Sequence, residues 1–168
     1  DNMSDDEKQA LFRMLGLGAL KYFLRKVDPH KRMLFNPQES IDLQGNTGPF
    51  IQYSHARICS ILRKAEQMNL ALNNVSPIAT LQATERALIF LLSQYPQRLR
   101  EAGENYTPST IAQYAYELAK TYNQFYGEIL ILAETDETKR HFRLLLSKKV
   151  AETIKQAMRL LGIQVPER

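Results

Sequence analysis

The chain has 168 residues, 44% of them hydrophobic and 24% charged, and its 22 Lys+Arg against 18 Asp+Glu give a formal net charge of +4. That length suits one domain burying roughly 70% of the surface of its unfolded chain, and the composition excludes wholesale disorder and collagen-like or fibrous structure. The most apolar run, 87–92, ends at Ser93-Gln94, far short of the roughly 20 residues a spanning helix needs.

Neither a membrane nor DNA is expected as a partner. The single cysteine, Cys59, cannot form an internal disulfide and points to a reducing compartment, so the expected location is cytoplasmic. The positive excess is local: residues 51–100 carry 6 basic and 2 acidic side chains, while 1–50 carry 7 of each and 101–168 carry 9 of each. A second basic group, which includes Lys139, Arg140, Arg143, Lys148 and Lys149, reads first as a solvated helix face, though charge alone leaves polyanion binding open.

The first residues, Asp1-Asn2-Met3, resemble neither a signal nor a transit peptide, so the chain is expected to begin inside a longer protein. Ser4-Asp5-Asp6-Glu7 has capping-box form and starts a helix. Its apolar stripe runs through Leu11, Phe12, Leu15, Ala19, Leu20, Phe23, Leu24 and Val27 until Asp28-Pro29. Gly16 and Gly18 weaken that helix or permit close packing. Met33-Leu34-Phe35 is a short extended candidate, and Asn36-Pro37 with Glu39 opens a brief helix.

After the loop Gln44-Gly45-Asn46-Thr47-Gly48-Pro49, a long helix turns Ile51, Ser54, Ile58, Ile61, Leu62, Ala65 and Met68 inward, and Asn73-Asn74 is expected to close it. Ser76-Pro77 reads as the start of the next helix, with Ile78, Leu81, Leu88, Leu91, Leu92 and Tyr95 on one face; Pro96 begins a continuation to about Gly103. Thr107-Pro108 opens a helix carrying Ile111, Tyr114, Ala115, Leu118, Tyr122, Phe125, Ile129 and Leu132. The last helix carries Leu145, Leu146, Val150, Ile154 and Met158 before Gly162. The expected fold is all-α, an antiparallel helical bundle of about five main helices with minimal strand content.

Catalytic constellations are hard to find. His30, His55 and His141 fall on separate elements without metal-ligand spacing, and no paired cysteines occur. Gly16-Leu17-Gly18 lacks the third glycine of a dinucleotide fingerprint, and no phosphate-cradling G-x-x-x-x-G-K-[ST] run exists. The feature that stands out is a glycine-bearing polar loop leading into a helix that displays Gln52, Tyr53, His55, Arg57 and, further on, Arg63. Amide, aromatic, imidazole and guanidinium groups are the set that stacks on unpaired bases and bonds their edges. Spacing alone leaves open a core tyrosine beside a polar helix start.

The run from Gly45 through Pro49, Gln52, Tyr53, His55 and Arg57 to Ile58 resembles the loop and helix that open the C-terminal anticodon-binding domain (DALR type) of arginyl-tRNA synthetases. Ile111-Ala112-Gln113-Tyr114-Ala115-Tyr116-Glu117, Asn123-Gln124-Phe125-Tyr126 and the closing Gly162-Ile163-Gln164-Val165-Pro166-Glu167-Arg168 agree with the same family in order. So does Leu17-Gly18-Ala19-Leu20-Lys21-Tyr22-Phe23-Leu24. Phe50 stands where the family often has Tyr, Leu130 where some members carry a larger aromatic, and the family's usual final methionine is missing after Arg168.

The resemblance implies a C-terminal fragment of an enzyme that joins arginine to its tRNA using ATP, with magnesium as a cofactor of that parent enzyme. It also implies no catalytic residues, cofactor or metal in the fragment itself, which would be inactive alone. Residues 1–43 would be a helical linker from the missing catalytic domain of the same chain, and 44–168 the anticodon-binding bundle. The partner would be the anticodon loop of arginine tRNA. Gly45, Asn46, Thr47, Gly48, Pro49, Gln52, Tyr53, Tyr126 and Leu130 would form the anticodon site, with His55, Arg57 and Arg63 as contacts to phosphate. The competing reading is a helical protein-interaction module without RNA binding, docking through its apolar first helix.

Overall fold

The computed structural model describes residues 3–70 and 78–168. Six helices follow in order: α1 (Asp5–Arg25), α2 (Pro37–Ser40), α3 (Gly48–Gln67), α4 (Ala83–Glu104), α5 (Pro108–Glu128) and α6 (Glu137–Leu160). Five are long, α2 is a single turn, and no strand occurs among the described residues. The helical bundle expected from the periodicity is the one observed.

Most helix ends follow local chemistry. The Ser4 N–H donates to Glu7 Oε2 at 2.9 Å and the Glu7 N–H returns the bond to Ser4 Oγ at 3.3 Å, completing the capping box of α1. Asn36 accepts from the Gln38 and Glu39 N–H groups at the start of α2. Thr47 Oγ1 accepts from the Phe50 N–H at 3.2 Å to start α3.

Three helices close by one device, a left-handed residue beyond the C-cap with a six-residue backbone bond. Asn69 (φ 54°) ends α3 with Leu70 N–H donating to Ala65 O, and Tyr106 (φ 53°) ends α4 with Thr107 N–H donating to Ala102 O. Gly162 (φ 67°) ends α6 with Ile163 N–H donating to Met158 O.

Several expectations give way. Helix α3 ends at Gln67, well before Asn73-Asn74, which lie outside the described residues. Ser76-Pro77 also lie outside them, and α4 begins only at Ala83, because Glu85 Oε2 accepts the Gln82 N–H at 2.7 Å and caps the helix there. Ile78 and Leu81 therefore precede that helix. Pro96 interrupts nothing: it lies exposed within α4, and the helix runs through it. Met33-Leu34-Phe35 forms no strand; Phe35 packs edge-on against Phe23 with ring centroids 5.2 Å apart.

On α1 the buried line is Gly18, Ala19, Tyr22 and Phe23, whereas Phe12, Leu20 and Leu24 of the expected stripe are exposed. Both glycines at the α1–α3 crossing are required by contact. A Cβ on Gly48 would come within 2.6 Å of the Gly18 carbonyl oxygen, and one on Gly18 would collide with the Gln52 amide. Gly16 meets nothing.

The core joins every long helix. Three buried tyrosines tie helices together through their hydroxyls: Tyr22 on α1 lies 2.9 Å from Ala112 O, Tyr114 on α5 donates to Leu91 O at 2.9 Å, and Tyr122 meets Ser147 Oγ at 3.0 Å. Burial raises the pKa of all three phenols, so they remain protonated donors. The tail after α6 returns across the bundle with Ile163 and Val165 buried.

Arg143, read from sequence as part of a solvated basic face, is instead buried in α6. Its Nε donates to Glu85 Oε1 at 2.7 Å, and one Nη bonds both the Glu134 carboxylate and, at 2.9 Å, the Leu130 carbonyl. Two carboxylates from other elements compensate its charge, as burial of a guanidinium demands.

Candidate nucleic-acid interface

The sequence-predicted site falls into two sets that share helix α3. Residues 52 and 55 turn inward, while 53 and 57, four apart, lie on one outward line.

The inward set is a seam. Thr47, Gly48 and Pro49 are buried, and the Thr47 hydroxyl donates to Asp42 O. Asn46 Oδ1 sits 2.6 Å from the Tyr22 hydroxyl, and its carbonyl accepts from Lys26 Nζ at 3.1 Å. The fully buried Gln52 donates through Nε2 to Met14 O at 3.2 Å on α1 and to Gln164 O at 2.8 Å on the tail.

His55 Nδ1 donates to Pro166 O at 2.8 Å, since a carbonyl only accepts. Burial, the largest cause, holds the His55 pKa below its ordinary value despite the bond to Pro166. Thr47, Gly48, Pro49, Gln52 and His55, expected as base or phosphate contacts, form this seam in the RNA-free chain. These groups are buried, and the polar side chains among them bond to protein. Gly45 and Asn46 keep partial exposure.

Arg63 is exposed, but its guanidinium donates to the Glu167 carbonyl. The Glu167 side chain pairs with Lys155 Nζ at 2.7 Å, which lowers its pKa. Arg168 Nη2 lies 2.5 Å from Glu7 Oε1. The tail is thus strapped to α1, α3 and α6.

The outward set is the candidate interface. Tyr53 is 53% exposed, Tyr126 44% and Leu130 66%. Although Tyr53 and Tyr126 come from α3 and α5, the Arg57 guanidinium carbon lies 4.8 Å from the Tyr53 ring centroid and 4.9 Å from that of Tyr126. Both distances are within cation–π range. Arg57 also donates to Asn123 Oδ1 at 2.7 Å. An exposed pair of tyrosine rings beside a cation has the chemistry to stack unpaired bases on its faces and to select among them only through its edges.

Sequence reasoning placed Arg57 among phosphate contacts; its packing against the two rings depends on Tyr126, 69 positions away in the chain. Asn123 was not singled out for any role, although its place four residues after the buried Ala119 and its polarity mark it as a boundary residue. Among the described residues no group of three or more His, Cys, Asp or Glu is placed to hold a metal ion, and no helix is long and apolar enough to cross a membrane.

Residues 51–168 match the family model described as the DALR anticodon binding domain. The chain is 52% identical over 168 residues to the arginine–tRNA ligase of Flavobacterium psychrophilum, covering all of this chain and 27% of that protein. To the arginine–tRNA ligase of Phocaeicola vulgatus it is 50% identical over 169 residues, spanning 28% of its length. The fold matches Thermus thermophilus arginyl-tRNA synthetase with a TM-score of 0.84 and 32% identity, across 99% of this chain and 28% of that one. The chain therefore spans little more than a quarter of the relatives it matches. With an all-helical fold and an outward tyrosine platform in the matched segment, it belongs to the DALR anticodon-binding domain family, in the form found in arginyl-tRNA synthetases.

Proposed function

We propose that this chain binds the anticodon loop of arginine tRNA and places that tRNA for ATP-dependent aminoacylation by a catalytic domain of the same protein, in a cytoplasmic setting. One observation carries the reading: Tyr53 and Tyr126, drawn from two helices, stay exposed and share one guanidinium, whereas Tyr22, Tyr114 and Tyr122 are buried.

Stacking of unpaired bases on such rings contributes roughly 1–3 kcal/mol per base. Arg57, Tyr53, Tyr126 and Leu130 would make the contacts. The 45–49 loop, Gln52 and His55 would act as the frame beneath them, and Arg63 would add positive charge at the rim. Binding energy at the anticodon then serves as positioning, fixing the distant acceptor end rather than making bonds here.

Residues 1–43 would link this bundle, residues 44–168, to the catalytic part. The exposed Phe12, Leu17, Leu20 and Leu24 on α1 give that part an apolar face to cover. ATP and magnesium would belong to the catalytic part. The same apolar face is what the protein-interaction reading rests on.

A titration of the chain with an arginine-tRNA anticodon stem-loop tests the proposal. The expected result is weak binding that falls as salt rises and falls again when the central anticodon cytosine is replaced. Binding that ignores that replacement would overturn the specificity, and absence of binding would overturn the reading.

A further inference from the structure

Arg57 does not hold its place by stacking alone. Its Nη1 donates to Asn123 Oδ1 at 2.7 Å, Asn123 Nδ2 donates to Ser54 Oγ at 2.8 Å, and Ser54 Oγ donates to Phe50 O at 2.8 Å. Every polarity in this chain is forced. Arginine only donates, so Asn123 must present its oxygen to Arg57 and its amide hydrogens to Ser54, whose own hydrogen goes to the Phe50 carbonyl. Ser54 is fully buried and Phe50 lies in the first turn of α3, so the relay ends on rigid backbone. Asn123 itself sits one turn before Tyr126 on α5. It therefore fixes Arg57 relative to both tyrosines, one on each helix.

We infer that Asn123, anchored by Ser54, is a positioning residue that holds the Arg57 guanidinium in register with the Tyr53 and Tyr126 rings. In that position its uncommitted N–H groups serve the acceptor edge of an unpaired base stacked there. The inference rests on the anticodon reading for its function, and on geometry alone for the relay. A guanidinium carries five N–H donors in a fixed fork. Among the described residues only Nη1 has a hydrogen-bond partner, so donors on its other edge remain for the ligand. Without the relay, a long side chain with several rotatable bonds would have to be ordered on binding, at a cost in affinity.

Two readouts keep the relay and the anticodon reading apart. In the RNA-free chain, nitrogen NMR of the Arg57 side chain should show a guanidinium with hindered rotation, and Asn123→Ala should release it with the melting temperature nearly unchanged. In stem-loop titrations Asn123→Ala should weaken binding about tenfold, in line with loss of a hydrogen bond to a charged group. The same substitution should cost nothing further in an Arg57→Ala background, and Ser54→Ala should cost less than Asn123→Ala.

Unchanged Arg57 signals in Asn123→Ala would overturn the relay, however well the RNA binds. An equal loss in the Arg57→Ala background would show that Asn123 acts otherwise than through Arg57, and would overturn it as well. Failure of the unsubstituted chain to bind the stem-loop, with the NMR effect intact, would overturn the anticodon reading and the ligand half of the inference while the relay stood.

Discussion

The two faces of α3 carry neighbouring letters of one motif and do different work. Gln52 and His55 face inward and are consumed by the seam, where they bond Met14, Gln164 and Pro166. Tyr53 and Arg57 lie on the outward line, where Arg57 bonds Asn123 and packs against the Tyr53 and Tyr126 rings. A residue pattern that looks like one binding motif is thus a frame and a surface interleaved at helical spacing. Substitutions in the frame should therefore change stability first, and substitutions on the surface should change affinity alone.

The largest expected effect lies in the frame. Arg143→Ala leaves Glu85 buried without its cation and releases the Leu130 carbonyl, which should cost about 3–5 kcal/mol in chemical denaturation. Gly48→Ala should cost about 1–3 kcal/mol, because the new Cβ meets the Gly18 backbone rather than a movable side chain. If either variant melted like the parent while losing RNA binding, the division between frame and surface would be wrong.

On the surface the magnitudes are smaller and the readout differs. Tyr53→Ala and Tyr126→Ala should each weaken stem-loop binding by roughly 1–3 kcal/mol, while stability moves within about 0.5 kcal/mol, as for exposed substitutions generally. The seam should also respond to pH through His55. Its folded pKa lies below the ordinary 6.5, so as pH falls the unfolded chain takes up the proton first. Stability is then unaffected above about pH 6.5 and declines below it. His55→Gln should flatten that decline in a series of melts, leaving the further loss at lower pH as Glu7, Glu134 and Glu167, all held below 4.5, become protonated.

The smallest effect is a control belonging to neither face. Tyr106, exposed at φ 53°, strains the end of α4, and Tyr106→Gly should stabilise the chain by about 1 kcal/mol with no change in RNA affinity.

What the sequence revealed follows from how local each cause is. The starts of α1 and α2 were legible because Ser4 and Asn36 act within three residues. The start of α4 was not, since Ser76-Pro77 gave a stronger local signal than the Glu85 cap that operates. The buried state of Arg143 depends on Glu85 and Glu134, 58 and 9 positions away, and no periodicity in α6 announces them. Tyr22 escaped the expected stripe of α1 because its hydroxyl makes it look amphipathic, yet it is fully buried with that hydroxyl satisfied by Asn46 and Ala112. The exposure of Tyr53 and Tyr126, proposed as site residues, was legible through family resemblance. Their convergence on Arg57 was not, because it is a tertiary contact between α3 and α5.

The most direct test pairs Tyr53→Ala with Gln52→Ala, adjacent residues on opposite faces of the same turn, each measured by anticodon stem-loop titration and by thermal melting. The account predicts that Tyr53→Ala loses affinity with its melting temperature unchanged, and that Gln52→Ala melts earlier but, while folded, still binds. Unimpaired binding by Tyr53→Ala, or a folded Gln52→Ala chain that no longer binds, would contradict it.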